Sequence, residues 1–240
     1  AEAHPGDKPL VPLYSAEDVD LVLPHWQPVV YQRYSAQWTV MNDHCSCKLY
    51  DAGHILGSAV IVLQIQENGQ MKRLAYTGDL GNTHVPILPE PEPIGEEVET
   101  LIIECTYGDK IHSPIADVAS KLKDVIVDAV AHNRKIIVPA FALGRTQELI
   151  YILHKLYQQK AIPILPIYLD SPLASKITTC FGQHLDDFDQ QSREDFLNDH
   201  TSPFAFANLR TVESVEDSQS LVTMSGPYMV IASSGMAEGG

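Results

Sequence analysis

Lys135-Ile136-Ile137-Val138-Pro139 runs into Ala140-Phe141-Ala142-Leu143-Gly144 and then into Arg145-Thr146-Gln147-Glu148. A β-rich apolar run, a loop of small and apolar residues closing on Gly, and an amphipathic stretch from about Arg145 to Tyr157 predict strand, loop and helix in succession. The pattern repeats on both sides. An amphipathic helix is predicted from about Ser113 to His132, a strand from Ile167 to Asp170, and a helix from Pro172 with Ser171 as N-cap. Gln183 to Pro203 reads as a polar helical stretch, and Leu209-Arg210-Thr211-Val212 and Tyr228 to Ala232 as strands. Such alternation implies a parallel sheet with crossover helices, hence an α/β fold.

The first half has a different texture. Ser15-Ala16-Glu17-Asp18 offers an N-cap and an acid three places on, followed by Val19, Val22 and Leu23 on one face and Pro24 as a stop: a short helix. Val29-Val30-Tyr31, Trp38-Thr39-Val40 and Cys47 to Tyr50 read as short strands. Ser58 to Gln66 and Lys72 to Thr77 flank Glu67-Asn68-Gly69-Gln70, and Asn-Gly is a strong hairpin signal. Pro86 to Glu99, with five glutamates and four prolines, is expected to be a surface loop whose charge serves solvation. It leads to Leu101-Ile102-Ile103, a strand expected to be buried. No internal repeat interrupts the chain.

The 240 residues carry 16 Lys and Arg against 31 Asp and Glu, a net charge of −15. That balance argues against adhesion to nucleic acid or anionic membrane through bulk charge, so a polyanion would have to be held locally. No apolar run approaches the length of a membrane span, and Ala1 to Leu10 hold charges and prolines in place of a signal-peptide core. The expected compartment is the cytoplasm, with no membrane partner. Cysteines at 45, 47, 105 and 180 are too few for a disulfide scaffold and are expected to be reduced. A start at Ala1 and an end at Glu238-Gly239-Gly240 suggest a piece of a longer protein.

The first stretch able to carry chemistry is Asp51-Ala52-Gly53-His54, followed by Tyr76-Thr77-Gly78-Asp79. His54 precedes the first strand of the hairpin and Asp79 follows the second, so an antiparallel return brings both to one end of the sheet. Imidazole and carboxylate are what zinc takes in hydrolytic sites, and a carboxylate can bridge two ions. Spacing alone also allows a loop histidine and a turn aspartate, because two residues do not close a zinc site. The second stretch is Leu101-Ile102-Ile103-Glu104, where apolar residues run straight into a carboxylate at a strand end. Glu104 there can orient a histidine, or simply bond to nearby amides.

Together with Glu104-Cys105-Thr106-Tyr107-Gly108 and Pro139-Ala140-Phe141-Ala142-Leu143-Gly144-Arg145-Thr146-Gln147-Glu148, these stretches resemble the metallo-β-lactamase superfamily in its β-CASP branch of RNA-processing nucleases. The resemblance runs from about Leu13 to the last residue. It implies part of an αβ/βα lactamase-like sandwich over residues 1–112, then an incomplete β-CASP domain over 113–240 with a mainly parallel, Rossmann-like sheet. It further implies two zinc ions and hydrolysis of RNA phosphodiester bonds. Carried over position by position, His54 is a zinc ligand, Asp79 a catalytic ligand shared by both ions, and Glu104 a catalytic acid that supports a histidine. The family's H-x-H-x-D-H motif appears nowhere in these residues. The chain alone is therefore expected to be inactive, as the middle of such a nuclease.

Three junctions between strand and loop offer free backbone N–H groups beside hydroxyls or a guanidinium, which suits phosphate: Arg145, Ser171 and Ser234. Ordinary capping explains the same residues. If the resemblance holds, they would guide single-stranded RNA, with a homodimer or an RNA-processing complex as the assembly. A non-catalytic scaffold subunit and a DNA-acting nuclease of the same branch are the alternatives; a nucleotide-binding module is weakened by the lack of any G-x-G-x-x-G after a strand. His44-Cys45-Ser46-Cys47 reads as a polar break more readily than as a metal site, and His112 as a residue near the domain junction or a solvated histidine. Tyr31, Tyr34 and Trp38 read as core more readily than as base-stacking rings.

Overall fold

The computed structural model describes residues 12–111, 116–198 and 202–233 of the chain. The chain divides into two compact units, Ala1–Val30 and Tyr31–Gly240. In the first, helix α1 (Ala16–Val22) passes into a 3-10 turn, Leu23–His25, around Pro24. The Ser15 N–H donates to Asp18 Oδ2 at 2.7 Å, satisfying one of the donors that a helix start leaves open.

In the second unit, β1 (Thr39–Asn42), β2 (Cys45–Asp51), β3 (Ala59–Glu67), β4 (Gln70–Tyr76) and β5 (Thr100–Ile102) form one sheet in that order. The first three pairings are antiparallel and β4–β5 is parallel. Glu67 pairs with Gln70, which leaves Asn68 and Gly69 as a two-residue turn with φ of 51° and 77°. Positive φ at both positions is what a type I′ hairpin demands. Val60 and Val62 on β3 alternate inward against Tyr50, Ala52 and Ala75, with Trp38 packed beside them.

Three expectations for this half are corrected. Of Val29-Val30-Tyr31 only Tyr31 joins the sheet, through a single parallel bridge to Leu49. Leu101, Ile102 and Ile103 are about half exposed, because β5 lies at the sheet edge and no layer among the described residues covers it. The Pro86 to Glu99 connector is a packed strap. Ile87 and Leu88 are buried in the core of the second sheet, and Ile94 and Val98 pack on the first. Three of its acids are engaged with the sheet: Glu92 exchanges hydrogen bonds with the backbone of Asp51, Glu99 with that of Arg73, and Glu96 pairs with Lys48 at 2.6 Å. Proline suits such a strap because it has no N–H to leave unsatisfied.

The later strands, β6 (Ile136–Pro139), β7 (Ile167–Asp170), β8 (Leu209–Thr211) and β9 (Met229–Ala232), form a parallel sheet in the order β6-β9-β7-β8. Helices α2 (Ala116–Ala131), α3 (Arg145–Gln158), α4 (Pro172–Gln183), α5 (Gln190–Asn198) and α6 (Val215–Thr223) alternate with them. The mixed α/β class expected from the alternation is thus present. Ile126, Ile150, Leu153, Ile167, Leu169, Phe181, Met229 and Ile231 fill one core. Helix α6 escaped the sequence reading, although Ser214 accepts the Asp217 N–H at 3.0 Å as an N-cap with its acid three residues on. Pro139 and Asp170 both pair with Ala232, so the loop to α3, Ser171 and Ser233 all leave from one edge of the sheet. That carboxyl edge is where parallel sheets collect ligands.

Candidate active site

The loop 51–58 between β2 and β3 is held from within. Asp51 Oδ1 accepts the Gly53 N–H at 2.8 Å, and Ser58 Oγ accepts those of His54 and Ile55 at 3.1 and 3.2 Å. Gly81 N–H reaches back to Ala52 O at 2.7 Å. The approach is so close that a Cβ on Gly81 would stand 1.9 Å from Gly53 O, so only glycine fits. The turns that carry His54 and Asp79 are thereby pressed together, and His54 Nε2 lies 3.9 Å from Asp79 Oδ2.

Glu104 stands just past β5. Its Oε1 accepts the Leu80 N–H at 2.7 Å and its Oε2 the Thr106 hydroxyl at 2.6 Å. These bonds, Thr106 first, then Leu80, hold its carboxyl below the usual range, with His54 adding a smaller pull. From the second sheet, Gly144 at φ 84° turns the chain into α3, and a Cβ there would meet the Ile55 side chain at 3.2 Å. The start of α3 therefore lies against the His54 loop. Arg145, the first residue of that helix, pairs with Glu148 at 2.8 Å.

His54, Asp79, Glu104, Arg145 and Glu148 line one cleft of about 550 Å³. Three carboxylates face a single guanidinium that is already paired, so a polyanion entering the cleft needs added positive charge. His54 and Asp79 suit a cation: two donors at 2.0–2.1 Å on a tetrahedral ion stand about 3.3 Å apart, close to the separation seen. Among the described residues no group of three or more His, Cys, Asp or Glu assembles as a metal centre, so the pair offers half a zinc shell.

Ser171 does not line this cleft. It is buried, its Oγ accepts the Ala174 N–H at 3.2 Å, and Ser233 Oγ stands 2.8 Å away, so the hydroxyl serves as the cap of α4. Ser234 and His112 lie outside the described residues. Cys45 and Cys47 open β2, with Cys47 buried. The sequence reading assigned no role to Ser58, Thr106 or Glu148, of which only Glu148 carries a spacing signal, three residues after Arg145 on a helix.

Residues 146–240 match the Beta-Casp domain model. Along 95% of its length the chain is 33% identical to ribonuclease TTHA0252 of Thermus thermophilus, of which it covers 50%. It is 30% identical, again over 95% of its length, to transcription termination factor FttA of Pyrococcus horikoshii, covering 34% of that protein. Over 80% of its length it is 30% identical to endoribonuclease YSH1 of Eremothecium gossypii, covering 24%. The chain thus spans half the length of the Thermus relative and a quarter to a third of the others. Residues 146–240 thus match the Beta-Casp domain, and the chain as a whole is similar to the β-CASP RNA-processing nucleases of the metallo-β-lactamase superfamily.

Proposed function

We propose that this chain is part of a zinc-dependent ribonuclease that hydrolyses phosphodiester bonds of single-stranded RNA. The observation that carries the reading is the convergence of His54, Asp79, Glu104 and Arg145 on one cleft between the two sheets. Zinc, when bound, supplies an ionised water at neutral pH and neutralises charge on the phosphate. His54 and Asp79 are the residues of this chain that would hold the metal. Glu104 holds the Asp79 turn through Leu80, and Arg145, which lines the cleft, meets a substrate phosphate. The Ser171 hydroxyl is taken up by capping, so among the described residues the phosphate contact falls to Arg145, with Ser234 as the further candidate.

The remaining zinc donors belong, in this reading, to parts of the complete protein that these 240 residues do not include. A division near residue 112 between lactamase-like and β-CASP parts, action in the cytoplasm, and assembly as a homodimer or within an RNA-processing complex belong to the same proposal. The test uses the complete protein with matched RNA and DNA oligomers. Wild type should cleave RNA, and Asp79→Ala should abolish cleavage and lower the zinc content. Retained cleavage in that variant overturns the assignment; preference for DNA moves the protein to the DNA-acting relatives. A zinc-poor wild type inert on both would make it a scaffold.

A further inference from the structure

Arg33 joins the His54 loop to the far side of the fold. Its Nη1 donates to Asp51 Oδ2 at 2.5 Å and its Nη2 to Asp187 Oδ1 at 2.8 Å, partners 18 and 154 residues away. The rings of Tyr31 and Tyr34 flank the guanidinium, 4.8 and 5.0 Å from its centre, which fixes its plane. The Tyr34 hydroxyl donates to Asp187 Oδ1 at 2.9 Å, and the Tyr31 hydroxyl to Ser58 O at 2.8 Å. These rings, expected to be core, frame an ion pair instead. Burial opposes the charge on Arg33, but its bonds to Asp51, Tyr34 and Asp187 outweigh that and keep it protonated.

Two paths lead from this cluster into the 51–58 loop. Asp51 takes the guanidinium with one oxygen and the Gly53 N–H with the other. Ser58, whose carbonyl is held by Tyr31, carries the hydroxyl that accepts from His54 and Ile55. The other end, Asp187, closes the 3-10 turn Leu185–Asp187 that follows α4. Remove the guanidinium and buried Asp51 and partly buried Asp187 lose their common cation, leaving only the Tyr31–Ser58 and Tyr34–Asp187 bonds to link the loop to that turn. Lysine offers a point charge in place of a planar fork and cannot serve both acids in this geometry.

We propose that Arg33 is a positioning residue for the cleft: by bridging Asp51 to Asp187 it holds the 51–58 loop, and with it His54, in register with the second sheet. The inference rests on the nuclease reading for its effect on catalysis and on geometry alone for its effect on the loop. The experiment compares Arg33→Met, Arg33→Lys and Asp187→Asn in the complete protein by RNA-cleavage kinetics, amide exchange of the 51–58 segment and thermal unfolding. Arg33→Met should lower kcat about ten-fold or more with KM near that of wild type, and speed exchange in 51–58. Asp187→Asn should do the same to a lesser degree, because the Arg33–Asp51 pair survives. The double variant should be no worse than Arg33→Met, since both cut one bridge. Lysine should restore only part of the loss. If Arg33→Met does not fold, Asp187→Asn carries the test. Wild-type kcat and wild-type exchange in 51–58, with only the melting temperature lowered, would overturn the proposal. If the complete wild-type protein cleaves no RNA, the nuclease reading fails by itself, and the exchange of 51–58 still decides the role of Arg33.

Discussion

Glu104 Oε1 accepts the backbone N–H of Leu80 at 2.7 Å, so the carboxylate past the edge strand grips the residue next to Asp79. The cleft is thus assembled by backbone contacts between loops, and its side chains inherit their places from them.

Because Thr106 and Leu80 hold the Glu104 carboxyl below its ordinary value, its grip on the turn is fully present above the usual glutamate range, near 4.3. It is lost as pH falls through the lowered folded value. In wild type, the Leu80 amide should keep its protection factor from neutral pH down past 4.3 and lose it only below. In Glu104→Ala it should be low throughout. Equal protection in both proteins would show that the contact does not hold the turn.

Gly81→Ala places a Cβ 1.9 Å from Gly53 O, and backbone on both sides leaves no room to yield. Urea unfolding should show a loss above about 3 kcal/mol. Gly57→Ala is the control. Gly57 has φ 88° with nothing within 4 Å of its Cβ position, so it should cost only the left-handed penalty of about 1–2 kcal/mol. Similar losses in the two variants would remove the close approach as the cause.

Burial, with Glu96 adding, pushes the Tyr50 hydroxyl up to about 12. A raised value means that its stabilisation is fully present below the ordinary tyrosine value, about 10, and disappears as pH rises through about 12. Tyr31, Tyr34, Tyr151 and Tyr157 are raised as well, so phenolate absorbance should show several tyrosines titrating late in wild type and one of them moving earlier in Glu96→Gln. The same substitution strips Lys48 of its partner and should cost about 3 kcal/mol, since both side chains are largely buried.

Gln147 is fully buried and tied at both ends of its amide: Oε1 accepts the Gly144 N–H at 2.8 Å, and Nε2 donates to Thr178 Oγ1 at 2.8 Å and Ala142 O at 3.1 Å. Gln147→Leu keeps the volume but orphans these partners. Stability should fall by about 2–4 kcal/mol in chemical denaturation. A near-neutral result would mean that water replaces the amide.

The strand-loop-helix pattern of Lys135 to Tyr157 puts Arg145 at a helix start, and the Asn68-Gly69 hairpin puts His54 and Asp79 at one sheet end. Both follow from signals within a few residues: an Asn-Gly pair that accepts positive φ, and a Gly before an amphipathic run. Ser171 reads as a cap somewhat more readily than as a phosphate contact, although one hydroxyl at a helix start suits either; burial and the Ala174 bond give it to the cap. Arg33 had no signal as a bridge, because the two acids it joins lie 18 and 154 residues along the chain.

What the sequence alone determined is therefore what neighbours in the chain negotiate: the turn at Asn68-Gly69, the caps at Ser15 and Ser171, the parallel alternation after residue 113, and the ordered motifs that carry the family resemblance. Only the tertiary structure decided that Leu101 to Ile103 face outward, that Glu92, Glu96 and Glu99 bind the strap to the sheet, and that Arg33 joins Asp51 to Asp187. The reason is physical. A carboxylate bound for solvent and one bound for a distant lysine are the same letter, and only packing, which sets local dielectric and distance, tells them apart.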